Sequence, residues 1–79
     1  MYYVYILQSQ IDSGYYIGST RNLDRRIAFH NAGKQRSTRH RIPFVLVYSE
    51  TFQTKREALK RERQIKSYKG GNAFLKLTK

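Results

Sequence analysis

The sequence contains no cysteine, only five Asp and Glu in 79 residues, and no long apolar run. The absence of cysteine excludes disulfide scaffolds, thiol catalysis and cysteine-ligated zinc sites. Two histidines and five carboxylates are also poor material for a zinc site of nitrogen and oxygen ligands. Because no segment has the length of a membrane span or the pattern of a signal peptide, we expect a soluble, cytoplasmic protein.

Positive charge is abundant, since 16 Lys and Arg give a formal net charge of +11. A field of this sign and density favours polyanions, and nucleic acid is the commonest polyanion inside cells. An anionic membrane surface is the competing partner. We expect no membrane partner, because the basic residues are spread over loops and two predicted helices and do not form one amphipathic helix. The length predicts one domain, residues 1–79, with a single thin core.

Residue patterns predict an α+β fold in which a small, three-stranded, mostly antiparallel sheet packs against helices. The predicted strands cover residues 2–8, 15–20 and 44–52. The predicted helices lie before Gly33, between Thr54 and Lys69, and at residues 73–77. Gly18 is expected to break the second strand. Period two places Tyr5 on one face of the first strand, where we expect Tyr16 as its neighbour across a hairpin.

In the first predicted helix, Arg26 and His30 recur at the same helical spacing as the apolar residues. A cation on the apolar stripe is costly unless it has a function or a partner. One interpretation places both residues in a functional site. The other is a half-exposed arginine whose stem covers the core, with a hydrogen-bonded histidine at the helix end.

The acidic residues can be sorted by structural role. Four of them have an evident or exposed place: Asp12 in a turn, Asp24 in a first helical turn, Glu57 in a capping box with Thr54, and Glu50 at a strand end. Glu62 alone has no such role, and it lies in the core-facing stripe of the second helix. We expect it either to pair with Arg26 or a neighbouring lysine, or to hold a hard cation. One carboxylate argues against a two-metal site and favours a single Mg2+-like ion, completed by water and substrate phosphate.

A further basic region is the loop at residues 34–43, which is either solvated surface or a phosphate-contacting loop. Both interpretations stay open. Basic residues of this loop and of the first helical region are the candidates for contacting nucleic acid: Arg21, Arg25, Lys34, Arg36, Arg39, His40 and Arg41.

Taken in order, these residues resemble the GIY-YIG nuclease family. The matching elements are Val4-Tyr5-Ile6, Tyr16-Ile17-Gly18, Arg26, His30 and the segment A-L-K-R-E-R-Q-I-K that contains Glu62. The resemblance covers nearly the whole chain and is nearest to small stand-alone members similar to the N-terminal endonuclease domain of UvrC. Of the name-giving Gly-Ile-Tyr motif, only the tyrosine, Tyr5, is strictly matched.

The resemblance implies hydrolysis of a phosphodiester with water as the nucleophile and a single Mg2+, or Mn2+, as cofactor. It implies Tyr5 as the general base, with a pKa lowered by nearby cations, and Tyr16 as the group that positions the water or shares the proton. Arg26 would bind the non-bridging phosphate oxygens, and His30 would hydrogen-bond phosphate or Tyr5. Glu62 would ligate the metal beside the leaving group.

Asn72 is a further candidate site residue, because the family tends to have an asparagine after the helix that carries the glutamate; a cap of the final short helix explains it equally well. Two functions stay open. The first is a Mg2+-dependent, structure-directed DNA endonuclease, or a nuclease-like domain, in DNA repair or processing, with DNA favoured over RNA. The second is a non-catalytic, basic nucleic-acid-binding module. The two share the positive charge and differ at the site.

Overall fold

The computed structural model describes residues 1–78, which form three strands and three α-helices. The elements are β1 (Tyr2–Ser9), β2 (Tyr15–Thr20), α1 (Leu23–Asn31), β3 (Phe44–Phe52), α2 (Lys55–Ser67) and α3 (Asn72–Thr78), with a short 3-10 helix at Arg39–Arg41. The strands form one antiparallel sheet in the order β2-β1-β3. The predicted α+β fold is confirmed. Within residues 1–78, no helix is long and apolar enough to cross a bilayer.

The β1–β2 hairpin continues through Gly18, so the predicted break in the second strand is wrong. Gly18 lies directly opposite Tyr5 in the ladder, and β2 ends two residues later at Thr20. The ring of Tyr5 crosses the bare Cα of Gly18, because a Cβ built there would lie only 2.5 Å from the Tyr5 hydroxyl oxygen. Glycine is therefore required here by close packing across the two strands.

Alternation along β1 divides the core between the two faces of the sheet. On one face Val4 and Ile6 pack beneath α2 and α3. On the other face Tyr5 and Leu7 pack with Phe44 beneath α1. The core is thus two clusters, one on each face of the sheet, and not the single thin core that the length suggested.

The helices begin at the capping residues in the sequence. The Asn22 side chain caps α1, and Thr54 caps α2 by accepting from the Glu57 backbone N–H at 3.2 Å. In the predicted capping box, the Glu57 carboxylate accepts from the Thr54 hydroxyl at 2.9 Å and does not reach the Thr54 backbone N–H. α2 ends at Ser67, shortly before the predicted end. Asn72 is the exposed first residue of α3, so it does not precede and cap that helix as predicted.

The loop between α1 and β3 is held by contacts at both of its ends. Arg41 forms a salt bridge with Asp12 at 2.9 Å, and the Ser9 hydroxyl donates to the Arg41 backbone carbonyl at 2.5 Å. The Asn31 side chain exchanges two hydrogen bonds with the backbone of Phe44. These contacts fix the loop against the face of the sheet that α1 covers, although the loop has few apolar residues.

Glu50, predicted as an exposed strand-end residue, is half-buried and pairs with Arg61 of α2. Arg61 Nη2 donates to it at 2.9 Å, and the Tyr48 hydroxyl donates to the same carboxylate. Burial alone would raise the pKa of Glu50, but the bonds from Arg61 and Tyr48 outweigh burial and lower the pKa. The pair ties α2 to β3.

Gly18→Ala should destabilise the fold, because the added methyl overlaps the ring of Tyr5, which is 2% exposed and has no room to move. Overpacking of this kind costs about 1–3 kcal/mol, although Gly→Ala inside a strand is otherwise favourable. Urea denaturation measures the loss. In the Tyr5→Leu background the same substitution should cost less, and an equal cost in both backgrounds would refute the overlap.

Candidate active site

Tyr5 and His30 form the buried centre of the candidate site. Tyr5 points from β1 toward α1, and His30 lies in the last turn of α1 with 0% of its surface exposed. The Tyr5 hydroxyl oxygen lies 3.3 Å from His30 Nε2. The other ring nitrogen, Nδ1, lies 3.4 Å from the Thr38 hydroxyl. His30 is therefore both a hydrogen-bonded core histidine and the partner of a predicted catalytic tyrosine.

Tyr16 joins this pair from β2, as the hairpin register predicted. Its ring centroid lies 6.4 Å from that of Tyr5 and 4.7 Å from that of His30, which it meets edge to face. Its hydroxyl accepts a hydrogen bond from Gln35 Nε2 at 3.2 Å. The structure thus brings together three of the five predicted catalytic side chains in direct contact.

Tyr5 and His30 are both neutral groups in this environment. Burial is the main cause that raises the pKa of Tyr5 above its usual value; Tyr16 and Glu62 add to the rise, and Arg26 opposes it. The expectation that cations lower the pKa of Tyr5 is therefore wrong, because burial outweighs them. Burial and then Arg26 lower the pKa of His30, so its imidazole is neutral near pH 7.

Arg26 lies one helical turn before His30 and is half-buried. Its guanidinium group stands over the Phe29 ring, 5.3 Å from the centroid. Among residues 1–78 it forms no salt bridge with a carboxylate. Its positive charge acts on the pKa of both Tyr5 and His30, which places the charge within electrostatic reach of the buried pair. Arg26 is therefore a cation available to an anionic ligand.

Glu62 projects from α2 and is paired with Lys66, not with Arg26. The Lys66 Nζ atom lies 2.7 Å from Glu62 Oε2. The Glu62 side chain is 17% exposed and that of Lys66 is 52% exposed, so the lysine is the outer partner. The negative charge of Glu62 also contributes to the raised pKa of Tyr5. Of the alternatives that the sequence left open, the ion pair with a neighbouring lysine is the one observed.

A divalent cation fits this site only if water and a substrate phosphate supply most of its ligands. Residues 1–78 contain no cluster of three or more His, Asp or Glu side chains that could enclose a metal. Glu62 is a single carboxylate in the part-exposed position that a loosely held Mg2+ accepts, provided that water and a phosphate oxygen complete the shell. Within the described chain, the donor set therefore fits a metal that arrives with substrate and does not fit a metal cage built by protein alone.

A cationic groove of about 720 Å³ lies beside this cluster, at the end of β2 and the starts of α1 and α2. Its basic lining residues are Arg21, Arg25, Arg26 and Lys55, and its aromatic lining residues are Tyr2 and Phe29. None of its lining residues is acidic. The groove therefore suits an anion, and Arg26 joins it to the buried tyrosines.

The remaining predicted residues lie outside the groove. Arg41 forms a salt bridge with Asp12. The other basic residues of the loop are exposed and do not line the groove: Lys34, Arg36, Arg39 and His40. Asn72 is exposed on α3. Lys55, which follows the cap of α2, was not predicted as a site residue. No local pattern in the sequence marks it, because it joins the groove only when α2 packs beside the start of α1. Thr38 and Gln35 were not predicted either.

Comparisons with known proteins identify the family of this chain. A family model described as the GIY-YIG catalytic domain matches residues 1–72. A UPF0213 protein of Staphylococcus haemolyticus is 48% identical over 68 residues, which cover 85% of this chain and 82% of that protein. A UPF0213 protein of Halobacterium salinarum is 43% identical over 67 residues, covering 84% of this chain and 86% of that protein.

The fold also matches a solved structure. The solution NMR structure of a UPF0213 protein from Bacillus halodurans is similar with a TM-score of 0.51 and 40% sequence identity, covering 92% of this chain and 90% of that one. The family model spans most of the chain, and the relatives match at high identity over most of their length. The chain therefore belongs to the GIY-YIG family, as one of its small UPF0213-type members.

Proposed function

We propose that this protein is a Mg2+-dependent DNA endonuclease that selects its target by DNA structure and acts in DNA repair or processing in the cytoplasm. The match to the GIY-YIG catalytic domain supports a nuclease in general. The observation that carries the proposal is the hydrogen bond between neutral Tyr5 and neutral His30, beside an arginine that lines a cationic groove. Such an arrangement can take a proton from water and stabilise an anionic phosphate.

In the proposed reaction, water attacks phosphorus and gives its proton to the Tyr5 hydroxyl oxygen, while the Tyr5 proton passes to His30 Nε2. A phenol with a raised pKa is rarely ionised near neutral pH, but it can relay a proton without being ionised beforehand. His30 can receive the proton because its lowered pKa keeps it neutral. Tyr16, whose ring contacts both side chains, positions the water.

Arg26 binds the non-bridging phosphate oxygens in this proposal, where it stabilises the charge that develops on the pentavalent phosphorane. Glu62 is the residue that would hold the Mg2+ or Mn2+ ion. When bound, the ion neutralises charge on the phosphate and on the leaving oxygen. Lys66 contacts only Oε2 of Glu62, and a pair spanning one helical turn contributes only about 0.3–0.5 kcal/mol, so the ion could displace the lysine or bind the other oxygen.

DNA is the proposed partner, favoured over RNA as the resemblance implies. Arg21, Arg25 and Lys55 extend the positive charge of Arg26 along the groove, which suits consecutive phosphates of a nucleic-acid backbone. Contacts with phosphates carry no sequence information, and this supports a choice of target by structure and not by sequence.

A non-catalytic nucleic-acid-binding module is the second candidate. The observation that favours it is the ion pair between Glu62 and Lys66, in which the lysine contacts Oε2 of the carboxylate needed for a metal. Such a module would use the same groove and the same charge. It would retain DNA at low salt and would release no product when Mg2+ is added.

Wild-type protein with Mg2+ should cleave at least one member of a panel of branched, nicked and single-stranded DNA. Glu62→Gln and Arg26→Ala should each lower the cleavage rate about a hundredfold or more while DNA binding survives, because each removes charge stabilisation of the transition state. Glu57→Gln is the matched control, since it neutralises a carboxylate on the same helix and keeps an acceptor for the hydroxyl of the capping residue Thr54. If the wild type binds DNA but cleaves no member of the panel, the protein is a non-catalytic binding module.

The pH profile of cleavage should separate a relay from a free phenolate. If Tyr5 passes its proton to His30, the rate should fall as the pH drops below the pKa of His30, which lies below its usual 6.5, and should change little above neutrality. A reaction that needs a preformed Tyr5 phenolate should instead accelerate about tenfold per pH unit. Initial rates measured over two units above neutrality would therefore contradict the relay if they rose about a hundredfold.

Arg25→Ala and Lys55→Ala should each weaken DNA binding and reduce the salt dependence of the affinity by about one unit of slope. Arg36→Ala and Lys34→Ala remove the same charges outside the groove and should have smaller effects. Fluorescence anisotropy over a salt series measures the slopes, and competition with RNA tests the preference for DNA. Equal losses inside and outside the groove would show that binding is diffuse over the basic surface.

A further inference from the structure

The loop after α1 contacts the buried pair directly. Thr38 is a buried polar residue of this loop, 3% exposed, and its hydroxyl oxygen lies 3.4 Å from His30 Nδ1. The same hydroxyl lies 3.5 Å from the backbone carbonyl oxygen of Gln35. Thr38 therefore stands between the imidazole and a carbonyl that can only accept a proton.

The arrangement of protons follows from counting donors and acceptors along this chain of groups. Tyr5, a neutral His30 and Thr38 each carry one polar side-chain hydrogen. If His30 is protonated on Nδ1, Thr38 accepts that hydrogen and donates its own to the Gln35 carbonyl. His30 Nε2 then has a free lone pair, which accepts the Tyr5 hydroxyl hydrogen. Every donor in the chain of groups has an acceptor.

The opposite tautomer leaves one donor unsatisfied. If His30 is protonated on Nε2, that hydrogen points at the Tyr5 oxygen, and Thr38 must donate to Nδ1. The Tyr5 hydroxyl hydrogen then has no acceptor among the described residues, since His30 is its one hydrogen-bond partner there. A buried donor left unsatisfied is destabilising, which favours the Nδ1-protonated tautomer.

We propose that Thr38 is a positioning residue that holds His30 in the Nδ1-protonated tautomer, so that Nε2 is the acceptor for the Tyr5 proton. The catalytic meaning of this assignment rests on the proposed function above. Thr38 acts through His30 and does not contact the substrate. The assignment gives this loop a role in ordering the buried pair, and the phosphate-contacting role considered for its exposed basic residues stays open.

A hydroxyl suits this task better than a carboxylate would. An acidic partner on Nδ1 would also fix the tautomer, but it would favour the imidazolium and raise the pKa of His30. Besides Thr38, the groups that face His30 are Tyr5 of β1, Tyr16 of β2, Phe44 of β3, and Arg26 and Phe29 of its own helix. None of these is acidic. Thr38 therefore orients the ring while the ring stays neutral and able to accept a proton.

The same loop orients the second tyrosine. Gln35, whose backbone carbonyl accepts from Thr38, uses its side-chain amide to donate to the Tyr16 hydroxyl. The far end of the loop is tied to the hairpin by the salt bridge between Arg41 and Asp12. One short segment thus holds the partners of both tyrosines at fixed positions.

The test is a long-range proton–nitrogen NMR correlation spectrum of the isotope-labelled protein near pH 7.5, which distinguishes the two imidazole tautomers. The chain has two histidines, so exposed His40 serves as an internal reference. We expect the Nδ1-protonated pattern for His30, a shift toward the Nε2-protonated pattern in Thr38→Val, and recovery in Thr38→Ser. A wild-type His30 protonated on Nε2, or a Thr38→Val spectrum unchanged at His30, would overturn the proposal.

Cleavage assays connect the tautomer to the reaction. Thr38→Val should lower kcat about tenfold with little change in KM, and Thr38→Ser should restore it, because the substrate groove is not altered. If the wild type does not cleave, the proposed function fails while the NMR result still decides the tautomer. If Thr38→Val does not fold, the wild-type spectrum alone decides it.

Discussion

The contact between the Tyr5 hydroxyl and His30 Nε2 is the constraint on which the candidate site depends. It joins the central strand to the end of α1 among buried side chains, where both groups are neutral. Gly18 makes room for the phenol, and the Thr38 hydroxyl is the hydrogen-bond partner of the second imidazole nitrogen, Nδ1. A phenol and an imidazole held in this way can pass a proton from one to the other, and in the proposed relay His30 ends with the proton that the water gives up.

The distribution of charge complements this neutral centre. Among the described residues, three of the five acids form ion pairs, and none of the three lines the groove: Asp12 with Arg41, Glu50 with Arg61, and Glu62 with Lys66. The cations that line the groove have no acidic neighbour in its wall. Because a chain with a net charge of +11 repels itself, these unpaired cations are costly in the free protein, and a bound polyanion relieves the cost.

The sequence predicts most of the fold because its signals are local. Alternation along the first strand places Tyr5 and Tyr16 on one face, and capping residues locate the starts of α1 and α2. What it does not predict depends on contacts between distant segments. Thr38 is an ordinary loop residue until the salt bridge from Arg41 closes the loop over His30. The raised pKa of Tyr5 depends likewise on burial, which no local pattern of charges reveals.

The ion pair of Glu62 with Lys66 is compatible with a metal site when its strength is compared with that of a divalent ion. The pair spans one helical turn, and its lysine is half exposed, so it contributes only about 0.3–0.5 kcal/mol. Arg26 and Glu62 both act on the pKa of Tyr5, so a phosphate bound by Arg26 would add negative charge in the same region, which favours Mg2+ over a single ammonium group. Lys66 can then be understood as a cation that neutralises Glu62 in the free protein and is displaced when substrate and metal arrive together.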